Sequence, residues 1–172
     1  VQTCALPICS STLRIYRSED LTGAAIGGTL KNVYAIAVGM SDGLNLGDNA
    51  RAALITRCLN EMIELGVYLG AKKDTFVGLS GVGDLIATCT GEWSRNRTFG
   101  QAIASGKNAK ELIDAQKTVV EGYWATACFY EKGKESGASS PVLDQVYRIL
   151  YKGSEPKASV VELMARDLKP EG

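Results

Sequence analysis

Lys31-Asn32 interrupts the most apolar stretch of the chain, between Leu30 and Val33. Lysine is among the residues least often fully buried. Withdrawn from water, an ammonium gives up its proton more readily, which makes lysine a useful base near neutral pH. Asn32 beside it could hydrogen-bond a substrate hydroxyl or carbonyl. The alternative is a lysine whose methylene stem runs along apolar surface out to water. The histidine count is 0, so this chain holds no Ser-His-Asp or Cys-His catalysis and no His-ligated zinc, haem or copper. A general base here must be Lys, Asp, Glu, Tyr or Cys.

Three further segments carry polar groups with chemical uses. Gly78-Leu79-Ser80-Gly81-Val82-Gly83-Asp84 is glycine-rich. Counted from Gly81, the third glycine of a nucleotide fingerprint falls on Ile86, and no strand precedes, so that fingerprint is rejected. What remains is a flexible loop delivering Asp84 to a helix start, where its carboxylate either caps the helix or faces a ligand. Ser94-Arg95-Asn96-Arg97 opens a helix. Free N–H groups at a helix start and a bidentate arginine both suit phosphate, and Thr88 and Thr90 upstream can add hydroxyls. A solvated basic turn is the alternative. Val119-Val120-Glu121-Gly122 ends a short apolar run. Glu121 could accept from a ribose hydroxyl or simply favour the helix dipole.

The chain that must position these residues has 172 residues, 45% of them apolar and 22% charged. That is an ordinary globular balance with enough length for one core. Lys plus Arg is 19 and Asp plus Glu is 19, so no global field attracts nucleic acid or an anionic membrane, and no such partner is expected. No apolar run approaches the roughly 18 residues of a membrane span. Cys4, Cys9, Cys58, Cys89 and Cys128 are odd in number and widely spaced, which reads as reduced thiols in a reducing compartment. Val1 to Ile8 resembles the in-frame translation of a sequencing adapter and is set aside with Cys4, an ordinary flexible segment being the alternative.

Leu13 to Tyr16 alternates apolar and polar residues, a short strand signal. One strand cannot form a sheet, so its expected partner lies outside this chain. Everything after it reads as helix, an all-α class. Ser18-Glu19-Asp20 starts a buried central helix through Val38, in which Gly27-Gly28 would let a backbone or a ligand come close. Ser41 to Gly47 reads as a loop. Asp48 or Asn49 caps a helix with Leu54, Cys58, Met62, Leu65 and Leu69 on one face, stopped by Gly70. Further helices are expected around Asp84–Cys89, Arg95–Ala104 with Ser94 as N-cap, Ala109–Ala115, Glu121–Lys132, from Ser140-Pro141 to Lys152, and from Pro156 to about Met164. Lys169 to Gly172 reads as a frayed tail.

Taken together and in this order, GGTLKNVYAIAVGMSDGLNLGDNARAALITR, GLSGVGDLIATCTGEWSRNRTFG, VVEG and SSPVLDQVYRILYKGSEP resemble the C-terminal domain of bacterial NAD(P)-dependent glycerol-3-phosphate dehydrogenases. The resemblance runs from about Ser11 to Lys169. It implies a multi-helix substrate domain, like that of 6-phosphogluconate dehydrogenase, following a Rossmann NAD-binding domain absent here. Residues 9–17 would be the remnant of that domain, with the strand left over from it; 18–169 would be the helical domain and 170–172 a tail. The family's proton-transferring lysine falls on Lys31, and its substrate-contacting positions on Asp84, Ser94, Arg95 and Asn96. Asn32 and Thr88 match positions that approach substrate in related eukaryotic enzymes. Cofactor positions fall on Arg95, Val119 and Glu121.

The implied reaction interconverts sn-glycerol 3-phosphate and dihydroxyacetone phosphate with NAD or NADP, feeding glycerophospholipid synthesis, and no metal is expected. The resemblance also implies a cytoplasmic homodimer and a chain inactive without its cofactor domain. Two other readings stay open from sequence: a non-catalytic helical dimerisation module, and a related hydroxy-acid dehydrogenase domain.

Overall fold

The computed structural model describes residues 8–115 and 118–166. Of the expected adapter scar only Ile8 falls among them; Cys4 and the 170–172 tail lie outside. Nine α-helices and one π-helical turn make up the described residues, with no strand. The helix α1 (Leu21–Gly43) is the central post, and every side chain from Val33 to Met40 that could face water is buried. The other helices are α2 (Asp48–Tyr68), α3 (Lys73–Phe76), α4 (Asp84–Thr90), α5 (Arg95–Ala104), α6 (Ala109–Ala115), α7 (Glu121–Ser136), α8 (Pro141–Lys152) and α9 (Pro156–Met164). Most of them pack on α1, α5 and α7 most extensively, while α6 and α9 pack on α8.

Asp20 starts α1. One carboxylate oxygen accepts from Gly23 N at 2.8 Å. The other accepts from Lys72 N at 2.8 Å and from the Thr75 hydroxyl at 2.6 Å, which pins α3 to the same point. The Thr75 hydroxyl and then the two backbone N–H groups hold the Asp20 carboxyl below its usual range. Small residues set how closely α5 crosses α1: a Cβ on Gly39 would strike the Arg97 carbonyl, and one on Gly100 the Ile36 carbonyl. The two backbones are therefore in direct contact, which only glycine permits.

Leu13 to Tyr16 forms no strand. A strand needs a neighbour to take its N–H and C=O groups, and the one backbone bond here is the local turn from Ser10 N to Leu13 O at 2.9 Å. The expected loop from Ser41 is also shorter than predicted, because α1 continues through Gly43. Asp42 keeps that last turn helical: its carboxylate accepts from Arg51 Nε at 2.8 Å and from Arg97 Nε at 2.7 Å. The glycine-rich segment before Asp84 is a π-helical turn, Leu79–Gly83, and not a flexible loop.

Candidate functional site

The π turn explains where Asp84 goes. It packs on α1 at Gly27, where a Cβ would come within 2.5 Å of the Ser80 carbonyl oxygen. Gly27 and Lys31 are one helical turn apart, so they share a face. Seating the π turn on Gly27 thus sets the first residue of α4, Asp84, opposite Lys31. The Lys31 ammonium donates to both Asp84 carboxylate oxygens at 2.6 Å. Lys31 keeps 22% of its side-chain surface in water and Asp84 36%. Of the two readings of Lys31, a desolvated base or a stem running out to water, the structure shows a side chain between them, partly buried and ion-paired. An ammonium has three N–H donors; two go to Asp84, and the third has no partner among the described residues.

Gly28 adds space to that face. A Cβ there would meet nothing within 4 Å. Gly28, Lys31 and Asn32 share one side of α1, so the glycine leaves a notch floored by backbone beside the ammonium. Thr88, one turn after Asp84 on α4, donates its hydroxyl to the Asp84 carbonyl at 2.7 Å and retains its acceptor capacity.

The starts of α5 and α7 close the other side. Ser94 is the N-cap of α5, its Oγ accepting from Arg97 N at 3.3 Å. The N–H groups of Arg95 and Asn96, in the first turn, have no intrahelical acceptor. Arg95 points outward and donates to Glu121 on α7 at 2.7 Å, both side chains about half in water. Arg97 points inward to Asp42, so it is no part of an exposed anion site. Asn96 is 4% exposed. Its Nδ2 donates to Asn32 Oδ1 at 2.9 Å, and its Oδ1 accepts from Gly122 N at 2.9 Å. Val119, just before α7, is exposed.

Apart from Arg97 and Thr90, the residues singled out from sequence fall into two groups. Lys31, Asp84 and Thr88 form one; Asn32, Asn96, Arg95 and Glu121 with Ser94 and Val119 form the other. Gly122 joins the second group through its N–H to Asn96 Oδ1, a contribution that residue type alone does not reveal. A groove of about 510 Å³ lies elsewhere, lined by Leu54, Val142, Val146, Ile149 and Leu163, and none of the site residues lines it. The polar face is open to water, Lys31, Asp84, Arg95 and Glu121 all being partly exposed.

Glu61 is a charged residue that sequence reading missed. It is 5% exposed on α2. Its two oxygens accept from Val142 N at 2.7 Å and Leu143 N at 3.1 Å, capping α8 from another helix. Burial pushes its pKa up to about 7 against the opposing effect of those two N–H groups. The signal was its position on the apolar stripe of Cys58, Met62 and Leu65. Burial also pushes the Cys89 thiol up to about 12, so it is no nucleophile. Among the described residues no cluster of three or more Cys, Asp or Glu could hold a metal ion, and no helix is long and apolar enough to cross a membrane.

Residues 20–161 match the family model for the NAD-dependent glycerol-3-phosphate dehydrogenase C-terminus. A glycerol-3-phosphate dehydrogenase [NAD(P)+] of Geobacter sp. (strain M21) is 47% identical over 163 residues, which are 95% of this chain and 49% of that protein. The enzyme of the same name from Vibrio vulnificus (strain YJ016) is 47% identical over 164 residues, 95% of this chain and 48% of its own length. The crystal structure of the glycerol-3-phosphate dehydrogenase of Coxiella burnetii superposes with a TM-score of 0.87 at 41% identity, covering 94% of this chain and 50% of that one. The corresponding enzyme of Saccharomyces cerevisiae gives a TM-score of 0.78 at 30% identity over 92% of this chain and 46% of that chain. The chain spans about half the length of the curated relatives it matches.

Proposed function

The chain belongs to the family of NAD-dependent glycerol-3-phosphate dehydrogenase C-terminal domains, and on that premise we propose that it is the helical substrate half of an enzyme interconverting sn-glycerol 3-phosphate and dihydroxyacetone phosphate. In this reading residues 9–17 lead out of a nucleotide-binding half and 18–169 form the helical domain. The open polar face is one wall of the active-site cleft. The observation that carries the reading is the Lys31–Asp84 pair, placed beside the Gly28 notch with one ammonium N–H uncommitted.

The residues divide the work by their free valences. In the reducing direction the Lys31 ammonium hydrogen-bonds the ketone oxygen at C2 and passes it a proton, becoming the neutral amine; in the oxidising direction the neutral amine takes the C2 hydroxyl proton and becomes the ammonium. Asp84 holds the ammonium in place through both oxygens. Thr88, with acceptor capacity left, takes a substrate hydroxyl. Ser94, Arg95 and the backbone N–H of Asn96 at the start of α5 receive the phosphate, where first-turn N–H groups and a guanidinium combine. Asn32 binds substrate beside Lys31. Arg95, Val119 and Glu121 would hold NAD or NADP; an exposed apolar residue next to a half-exposed ion pair offers a flat contact together with donors and acceptors, which fits such a group. When bound, the nicotinamide accepts or supplies the hydride at C2.

A cytoplasmic site of action is supported by Cys58 and Cys89, which are free thiols. A homodimer is supported by the exposed Val161 and Met164 on α9. The test of the reading is turnover of dihydroxyacetone phosphate with NADH or NADPH. The 172-residue chain alone should be inactive, and the same chain joined to its nucleotide-binding half active. Turnover by the isolated chain, or none by the two-domain enzyme, would overturn it.

A further inference from the structure

We propose that Asn96 is a positioning residue: it turns the amide of Asn32 so that an N–H, and not the carbonyl oxygen, faces substrate beside Lys31. The proposal rests on the substrate reading above. Its logic starts from a group with no freedom. A backbone N–H can only donate, and Gly122 N lies 2.9 Å from the Asn96 amide, so the atom it meets is Oδ1. The other end of that amide, Nδ2, then faces Asn32 at 2.9 Å. An NH2 group only donates, so the Asn32 atom it meets must be Oδ1. The orientation of Asn32 follows: Nδ2 points the opposite way, toward the Gly28 carbonyl at 3.3 Å. One of its two N–H donors is used there, weakly, and the other has no partner among the described residues.

That free donor lies on the side of α1 where Gly28 leaves the notch open and where Lys31 has its uncommitted N–H. Two donors unpaired among the described residues, one on Lys31 and one on Asn32, therefore stand at adjacent positions of α1 beside that notch. Such a pair selects an acceptor oxygen, a ketone or a phosphoryl oxygen, over a group that must donate. Gly122 makes the relay compact: a Cβ there would come within 2.5 Å of the backbone carbonyl oxygen of Asn32 and 2.8 Å of Asn96 Oδ1. Asn96 itself, 4% exposed, acts through its neighbour.

Asn96→Asp tests this in the two-domain enzyme. An aspartate can accept from Gly122 N and from Asn32 Nδ2, so it should turn the Asn32 amide round. The expected result is a fall in kcat/KM for dihydroxyacetone phosphate of at least about tenfold, the size of a lost hydrogen bond to a charged group. In an Asn32→Ala background the same substitution should cost less than about twofold, because coupled residues are not additive. Equal losses in both backgrounds, or no loss in either, would overturn the proposal. Should Asn96→Asp not fold, proton NMR of the unsubstituted chain decides: Asn32 side-chain NH2 protons close to the Gly28 α-protons support the proposal, and NH2 protons close to the Asn96 side chain overturn it. An inactive unsubstituted two-domain enzyme would remove the substrate reading itself, a failure distinct from both.

Discussion

Asp42 and Asp84 are both carboxylates paired with cations across α1, and they differ in what they leave unused. Asp42 has 7% of its side chain in water, and each of its oxygens accepts from a different arginine, Arg51 and Arg97. It ties the end of α1 to α2 and α5. Guanidinium does not give up a proton in proteins, so the arrangement is saturated and chemically inert. Asp84 spends both oxygens on the single ammonium of Lys31, stands 36% in water, and faces an opening. A lysine can exchange its proton. The same contrast divides two neighbouring arginines: Arg97 turns in to Asp42, while Arg95 turns out to the half-exposed Glu121. The carboxylates that hold this fold together, Asp20, Asp42 and Glu61, accept with both oxygens and are nearly withdrawn from water. Lys31, assigned to chemistry, keeps one N–H without a partner among the described residues.

The contrast breaks most visibly at Asp42. Asp42→Ala strands the Arg97 guanidinium and leaves Arg51 with only the exposed Asp48, and should cost about 3 kcal/mol of stability in a denaturant melt, the low end for breaking a buried pair, since Arg51 keeps 31% of its side chain in water. A loss under about 1 kcal/mol would place Asp42 with the weak surface pairs. Arg95→Ala should do the opposite. Its half-exposed pair contributes about 0–1 kcal/mol to stability. The KM for the phosphorylated substrate in the two-domain enzyme should nevertheless rise about 10- to 150-fold, the equivalent of one charge-assisted hydrogen bond. An unchanged KM would remove Arg95 from the phosphate site.

Glu61 sharpens the structural side. Its folded pKa of about 7 stands above the ordinary 4.5, so the folded chain binds this proton more tightly than the unfolded one. Stability from this group is fully present below pH 4.5 and is lost as pH rises through 7. One titrating group gives a slope of at most about 1.4 kcal/mol per pH unit. Glu61→Gln should therefore flatten the pH dependence of Tm in that window. A mutant whose Tm falls with pH as steeply as the parent would show that another group carries the dependence.

Sequence pattern located the helices well where the signal was local. Ser94 before an apolar periodic segment marks the start of α5, and Pro141 and Pro156 mark α8 and α9 at their first residues. Lys31 stood out because a charge in an apolar run is costly unless something compensates it. What pattern could not show was long-range. Leu13 to Tyr16 has strand periodicity and no partner to pair with. Asp42 extends α1 because of arginines on two other helices, one of them 55 positions away. The π turn takes its form from contact with Gly27, and four-residue α3 is too short to show a period. Asn96 was legible as a polar residue at a helix start, but its inward orientation depends on the N–H of Gly122. Glu61 was passed over because its partners are backbone N–H groups 81 and 82 residues away.

The central claim is that the free valence of Lys31 does chemistry. Lys31→Met keeps the apolar stem, and the Asp84 carboxylate it leaves behind is 36% exposed and can be hydrated, so the fold should survive. Steady-state kinetics of the two-domain enzyme, beside a circular dichroism melt, is the direct measurement. The account predicts that turnover falls by at least about a hundredfold, as for loss of a general acid–base, with cofactor binding and the melt essentially unchanged. Near-normal turnover in the mutant would contradict it, and would make Lys31 a structural cation like Arg97.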